Sequence, residues 1–517
     1  MANKKLFQSL RGALVPSTDT QNEAGGPAYA LPPKHALAQY AMTGCLNATY
    51  YVSAEAQLQK VLSLTSQVEA EFVAKTAVYA RQKGFMKDMP ALLCAALSVK
   101  NPQQLRAVFD RVMDDGKMLR NFVQVVRSGA VGRKSLGTVP KRLTQRWLAA
   151  RTDDQLFRAS VGNSPSLADV IKMVHPKPAD ASRAALYGYL LEREHDAAAL
   201  PEVVRQFEAF KAGQRETVPN VPFQMLTALQ LGKAEWTAIA KQAPWQMTRM
   251  NLNTFARHGV FEDRAMVKLV AERLASAEGV KRARVFPYQL LSAYKAAGTD
   301  VPHPVRDSLQ TAMEVAIENV PQIDGKVYVC PDVSGSMGSA VTGERSGATT
   351  AVRCIDVAAL VSAAILRRNP TAEVLPFETK VVELRLNARD SVMTNAEKLA
   401  GIGGGGTTCS APLAWLNQKQ AKGDLVVFVS DNQSWVDAQG GRGTETLRQW
   451  TVFKQLNPQA RLVCIDIQPH GTVQAEEAGD ILNIGGFSDQ VFEVIAAFAE
   501  GRLGADHWVG LIDAVEL

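Results

Sequence analysis

The chain has little that would tie it to an oxidising compartment or to a membrane. It contains 6 cysteines in 517 residues, Cys45, Cys94, Cys330, Cys354, Cys409 and Cys464, and none forms a C-x-x-C pair. Those near strands read as buried thiols, so reduced cysteines and a cytoplasmic location are expected. No apolar run approaches the roughly 18 residues of a membrane span, and no membrane partner is expected. Met1–Leu10 carries two lysines and no apolar segment, which argues against a secretory leader.

Strand-like alternation is almost missing before residue 320, and a clean sequence period is missing throughout. Residues 1–21 are polar and read as a loosely held tail. From 22 to 320 apolar residues recur at three- and four-residue spacing, broken at Pro or Gly, as in Ser53–Thr65, Gln67–Lys83, Pro102–Asp115, Ser182–Glu194, Ala197–Ala212 and Asp263–Ala277. Many consecutive helices with short connections imply stacked antiparallel pairs, an α-solenoid of HEAT-like repeats. At Pro321–Gly325 the pattern changes to strands and helices in alternation: Val327–Pro331, Val352–Arg368, Glu373–Phe377, Lys380–Leu386, Ala411–Gln420, Leu425–Asp431, Glu445–Leu456, Arg461–Gln468 and Asp489–Glu500. Residues 321–517 are therefore expected to form a doubly wound α/β domain.

Charge divides where the pattern does. Residues 326–517 hold 16 Lys+Arg against 22 Asp+Glu, a balance of −6; the totals of 57 and 51 leave 41 against 29, or +12, for residues 1–325. The basic part is the one suited to a polyanion.

The most informative stretch is Val327–Gly338, V-Y-V-C-P-D-V-S-G-S-M-G. A buried strand runs into an acidic, hydroxyl-rich turn, at the edge where open α/β sheets bind ligands. Asp332, Ser334 and Ser336 alternate, so an extended loop lets their oxygens converge, and hard oxygens suit Mg²⁺ or Mn²⁺. Leu425–Asp431 is a second buried strand ending in a carboxylate. Between them Gly403–Thr408, G-G-G-G-T-T, opens a helix, so Thr407 or Thr408 can offer a hydroxyl.

Three enzymatic readings compete with this one. Gly401–Gly406 satisfies G-x-G-x-x-G but follows a helix-like N-A-E-K-L-A instead of a strand, against a dinucleotide site. Ser334 and Ser336 lack the G-x-S-x-G elbow, and His470 and His507 sit in no motif that would orient a base. A phosphoryl-transfer nucleophile at Asp332 normally has a second carboxylate two residues on, where this chain has Ser334.

D-x-S-x-S, then G-G-T, then a strand ending S-D, in sequential βα units, resembles the metal-ion-dependent adhesion site of von Willebrand factor A domains. That match makes Asp332, Ser334, Ser336, Thr407 and Asp431 the ligands of a divalent cation, Mg²⁺ or Mn²⁺. In the basic part, Asn22–Tyr29, Thr49-Tyr50-Tyr51, Ser166–Pro178, Glu235-Trp236 and Met247–Asn251 together resemble the TROVE module of the Ro autoantigen family, where it precedes an A-type domain. The resemblance covers nearly the whole chain in the family's order and looks like a bacterial-type member. It implies a helical ring over 22–320, bridged by the A domain, that binds small structured Y RNAs and the single-stranded ends of misfolded RNAs. It also implies a protein monomer, an exoribonuclease partner and a place in RNA quality control.

The residues make an RNA face physically reasonable. In Ser166–His175, Leu167, Val170, Ile171 and Val174 form a buried stripe, leaving Lys172 and His175 on an accessible flank, with His175 in the last turn before Pro176. Arg120, Arg127, Arg133, Lys134, Lys141, Arg142, Arg146, Arg151 and Arg158 precede it with few acids between. The family's pattern places Arg158 and His175 on the RNA-binding surface; for any single cation the competing reading is a solvated helix face. The leading expectation is a non-enzymatic RNA-binding scaffold. A cation-dependent protein adaptor without an RNA role, and a metal-dependent phosphatase or nuclease, are the alternatives.

Overall fold

A computed structural model describes residues 15–283, 285, 287–318, 320–344, 352–436, 443–486, 488–503 and 506–517. Residues 1–14 of the expected tail lie outside the described residues. The chain forms two compact units.

The α/β unit is built on a five-stranded parallel sheet of β3 (Val327–Pro331), β4 (Glu373–Val374), β5 (Leu425–Ser430), β6 (Arg461–Asp466) and β8 (Ile481–Gly485). Their order across the sheet is β4-β3-β5-β6-β8. Every residue of β3, β5 and β8 is buried, which is why β3 and β5 read as nearly continuous apolar runs. From β3 the chain adds β4 on one side and β5 on the other, so the strand order reverses at the C-terminal end of β3. A crevice at that switch point is where such sheets place ligands.

Two expected strands are shorter or missing. Glu373–Phe377 pairs in the sheet only at Glu373–Val374, and Lys380–Leu386 contributes one isolated bridge, Phe377 to Val381. β8 and the helix Val392–Ala400 were not foreseen.

The larger departure concerns the first 68 residues. By contacts, the described residues up to Val68 belong to the α/β unit, together with Val285–Ala296 and Gln310–Val515, and the helical unit is Glu69–Arg284 with Ala297–Leu309. Short strands β1 (Thr20–Gln21) and β2 (Pro27–Ala30) pair antiparallel, and β2 adds to β7 (Thr472–Val473). Strands of this length carry too little alternation to be seen in sequence. The helix Pro33–Thr43 buries nearly its whole length, and His35, accepting or donating through Nε2 to the Asn483 carbonyl at 3.0 Å, is driven by burial to about 4 and so packs as a neutral ring.

One carboxyl in this unit is held against its preference. Burial pushes Glu477 up to about 7, although its Oε2 accepts the Asn483 N–H at 2.9 Å and Nδ2–H at 2.7 Å. The folded state binds that proton more tightly than the unfolded chain. Its contribution is therefore complete below about pH 4.5 and is lost as pH rises through about 7. Glu477→Gln cannot ionise. It should raise stability at pH 8 by on the order of 1–3 kcal/mol and change little at pH 5, as read from melting curves at the two values.

The helical unit stacks helices such as Ala70–Gln82, Asp88–Lys100, Pro102–Val112 and Gly116–Arg127; the first three pack on one another, and Gly116–Arg127 packs on Asp88–Lys100. Side-chain caps mark their starts: Asn101, Asp115, Thr152 and Ser166 each accept a hydrogen bond from a first-turn backbone N–H. The foreseen Ala197–Ala212 is a 3-10 turn, Ala197–Ala199, then a helix at Glu202–Lys211, because Pro201 can start a helix but not continue one.

Candidate functional site

At the end of β3, Asp332 is fully buried. Its Oδ1 accepts the Ser334 N–H at 2.8 Å and its Oδ2 the Ser430 hydroxyl at 2.6 Å. The Ser334 and Ser336 hydroxyl oxygens lie 3.3 Å apart, and the Ser336 hydroxyl is near enough to Asp431 to favour its charged form. Asp431 follows β5 and accepts the Gln433 N–H at 3.3 Å. The glycine-rich loop is fastened to the same turn. The Gly335 N–H donates to the Gly405 carbonyl at 3.1 Å and the Gly404 N–H to the Val333 carbonyl at 3.0 Å. Gly405 has φ +79°, and a Cβ there would stand 1.6 Å from the Glu378 carboxylate, so only glycine fits. Thr407 follows, 1% exposed, its carbonyl accepting the Trp435 N–H at 3.2 Å. The Thr408 hydroxyl is buried without a hydrogen-bond partner among the described residues.

All five residues expected as cation ligands are thus buried at adjoining strand ends and loops of the switch point. The electrostatics fit a hard divalent cation. Burial, then the charge of Asp431, push Asp332 up to about 7; burial raises Asp431 too. Asp466, at the end of β6, is raised by burial and by Asp431. The unit's buried, cation-paired carboxylate is elsewhere, at Asp356, held by Lys295 at 2.6 Å and Arg353 at 3.0 Å. Two like charges with hydroxyls around them and no Lys or Arg salt bridge among the described residues form a donor set for Mg²⁺ or Mn²⁺.

In the helical unit, Arg127, Lys134, Lys141, Arg142, Lys172 and His175 line one open groove of about 620 Å³ with no acidic residue in its wall. Sequence separation hides this grouping, since the residues come from the ends of three helices and the loop 128–137. His175 reaches it by a different route from the one expected. The helix ends at Val174, and His175 caps it with φ +51°, its N–H donating to the Ile171 carbonyl at 2.9 Å. Pro176 disfavours a helical residue before it, so the imidazole is turned out beside Lys172.

Three of the expected RNA-face residues are placed otherwise. Arg120 is buried, and its Nη1 donates to the Ala159 carbonyl at 2.8 Å and to the Val161 carbonyl. Arg133 donates to the Ser98 carbonyl at 3.0 Å and packs against Gly137. Both guanidiniums satisfy carbonyls at helix ends, a use that charge counting cannot tell from a free cation. Arg158 is exposed but lines two other cavities, one with Lys117, Trp147 and Arg151 and one with Phe223, Met247 and Met250. Arg120→Ala should therefore cost on the order of 2 kcal/mol of stability through two unsatisfied carbonyls, with RNA affinity of the folded protein little changed. Denaturant melts and a binding isotherm on the same preparation check it.

Sequence reasoning missed Ser430, which holds Asp332; its place just before Asp431 in the strand end was the available signal. Trp147, under the Arg151 guanidinium at 4.4 Å, is a further addition beside Arg158.

Residues 99–302 match the TROVE domain and residues 326–499 the Ro60 vWA domain. The fold and the site thus define a protein in which a TROVE helical module precedes a von Willebrand factor A domain. The chain belongs to the Ro60 family. It is 25% identical over 542 residues to a Deinococcus radiodurans protein named RNA-binding protein RO60, covering 97% of this chain and 100% of that one. It is 23% identical over 253 residues to the Caenorhabditis elegans protein of the same name, 47% of this chain and 38% of that one. The crystal structure of the D. radiodurans RO (RSR) protein shares the fold, with a TM-score of 0.63 and 22% identity over 91% of this chain and 100% of that one.

Proposed function

We propose that this chain is a non-enzymatic RNA-binding scaffold whose helical unit holds small structured RNA by its phosphates. The observation that carries this reading is the groove in which five Lys or Arg side chains and His175 meet without an acidic residue in the wall. A cavity so open and so charged suits a run of phosphates far better than an apolar ligand. The relatives named RNA-binding proteins support the same reading. Y-type RNA, the ends of misfolded RNA, and a role in RNA quality control in the cytoplasm with an exoribonuclease partner are the finer parts of the proposal, taken from the family. Phosphate contacts fix position and carry no sequence information, so a scaffold that accepts many misfolded RNAs can use this surface without reading bases.

The α/β unit would hold one Mg²⁺ or Mn²⁺ through Asp332, Ser334, Ser336, Thr407 and Asp431. When bound, such an ion neutralises the two carboxylates and offers Lewis-acid coordination to an oxygen donor. With only two carboxylates among its ligands, the site should bind weakly compared with a cage of four.

The test is the salt dependence of binding to a small stem-loop RNA by the native chain. Each phosphate neutralised contributes a log–log slope of roughly −0.7 to −0.9, so five cations predict about −3 to −5. A slope near zero would remove the groove as the RNA surface.

A further inference from the structure

Besides the basic groove, the helical unit holds a cavity of about 460 Å³ between the 218–226 segment, the end of the helix Lys233–Gln242 and the helix Trp245–Met250. That is the size of a small-molecule site. Val221, Leu226, Ile239 and Ala243 form a buried apolar floor. The walls are held from behind. Phe223 rests on Trp236 with ring centroids 5.8 Å apart, and Trp236 is stacked on His258 at 4.3 Å and 12°. The Trp245 Nε1–H donates to the Leu274 carbonyl at 3.1 Å and the Thr248 hydroxyl to the Pro244 carbonyl at 3.0 Å, which fixes the helix carrying Met247 and Met250. Met250 stands at the rim, 68% exposed. A thioether so exposed is no part of the core, and its flexible chain can fold down over a flat ligand.

The cavity is apolar inside and cationic at its mouth. Arg158, Pro222 and Gln224 line both this cavity and a second one, so the two adjoin. Arg158 is exposed and makes no hydrogen bond or ion pair among the described residues. The second cavity adds Lys117 and Arg151, and its two acids are engaged, Asp114 with the Arg81 guanidinium at 2.6 Å and Asp115 with the Met118 N–H at 2.8 Å. A purely apolar ligand leaves Arg158 unused, and an isolated phosphate leaves the aromatic and thioether walls unused. A nucleotide within an RNA strand uses both, because a flat base with two apolar faces is tied through its ribose to a phosphate. Its polar edge meets amides, since Asn220, Gln224, Gln242 and Asn251 also line the cavity. Unstacked bases are received in this way, between aromatic or apolar side chains with hydrogen-bonding groups at the edge.

We propose that this cavity receives one unpaired nucleobase of a bound RNA strand, with Arg158 on the phosphate beside it. This rests on the RNA-binding reading above. It adds to a groove that needs only phosphates a site that needs a base.

The probe is a stem-loop RNA with a short single-stranded tail, used with the full-length chain. One form carries ordinary bases in the tail and another carries abasic riboses on the same phosphates. The native chain should bind the base-bearing tail at least about tenfold more tightly, as loss of a stacked base predicts, and with the same salt slope, because stacking releases no counterions. Met250→Ser and Phe223→Leu should each remove most of that preference and leave affinity for the abasic RNA unchanged, a pattern that general destabilisation does not produce. Arg158→Ala should weaken both RNAs alike and make the slope shallower by about 0.7. With 4-thiouridine in the tail, irradiation should join the RNA to residues within 218–251, as mapped by mass spectrometry. Free AMP at micromolar concentration should not displace the tail; displacement there makes the cavity a mononucleotide site and overturns its assignment to RNA. Equal affinity of the native chain for the two tails, crosslinks confined to other residues, or full preference retained in Met250→Ser and Phe223→Leu overturns the base pocket, leaves the cavity to a partner's apolar side chain, and leaves the groove standing. Failure of the native chain to bind either RNA overturns both.

Discussion

Replacing Lys141, Arg142 and Lys172 together by alanine should weaken binding of a small stem-loop RNA by about 10²–10³-fold near 100 mM salt. Each contributes a charge-assisted hydrogen bond partly screened by water, worth on the order of 1–1.5 kcal/mol, and all three line the same groove. All three leave the fold intact, since none is buried and none makes an ion pair among the described residues. The salt slope should become shallower by about 2–3, close to one for each phosphate no longer neutralised, and the weakening should be nearly the same for RNAs of different sequence. Arg158→Ala should cost less, on the order of 1 kcal/mol, and its effect should add to that of the triple change, because it lines separate cavities. Arg461→Ala, in the α/β unit with its guanidinium over the Phe498 ring at 5.1 Å, is the control and should leave RNA affinity unchanged. A triple variant that binds RNA like the native chain would mean that the groove is a solvated helix surface.

The parts legible in sequence were those whose chemistry is local. Val327–Pro331 agreed residue for residue with the strand found, because a parallel strand buried on both faces must be apolar throughout. Asp332, Ser334, Ser336 and Asp431 could be singled out because they stand at strand ends that topology brings to one edge, whereas the choice of Thr407 over Thr408 came from the resemblance to the metal-ion-dependent adhesion site. The basic groove was legible only in part. Arg120 and Arg133 have the same local sequence character as Arg127 and Lys134, and what separates them is whether a carbonyl from another helix, Ala159 or Ser98, lies within reach. Residues 22–68 read as more of the helical array, since the helix Ala54–Gln67 has ordinary periodicity. Nothing in an amphipathic pattern says which unit its apolar face will cover. The contacts of Asn22 with Ser434, of His35 with Asn483 and of Asn47 with Thr342 span hundreds of residues, and they decide the matter.

Asp332→Asn should have opposite effects on stability with and without a divalent cation. At pH 8 in EDTA the native chain carries a buried pair of carboxylates, Asp332 and Asp431, with no Lys or Arg salt bridge among the described residues. The folded pKa of Asp332 is raised to about 7, from burial first and the Asp431 charge second. A carboxyl raised in the folded state contributes fully below its unfolded value, and that contribution is lost as pH rises through about 7. The neutral isostere escapes the penalty, so Asp332→Asn should be the more stable protein at pH 8 by on the order of 1–3 kcal/mol. The gap should close toward pH 5, where the native carboxyl holds its proton. Its hydrogen bonds can survive the change: the amide oxygen still accepts the Ser334 N–H, and Ser430 Oγ, which already accepts the Asn432 N–H at 2.8 Å, can accept from the new amide. Mn²⁺ at about fifty times its dissociation constant adds roughly 2.3 kcal/mol to a protein that binds it only when folded. The native chain should gain that amount and Asp332→Asn almost none, so Mn²⁺ should cancel or reverse the stability difference at pH 8. Melting curves of both proteins in EDTA and in Mn²⁺, at pH 5 and pH 8, read the result. An Asp332→Asn protein less stable than the native chain in EDTA at pH 8 would show that the carboxylate is not held against its charge. An equal Mn²⁺ shift in the two would place the ion at some other group.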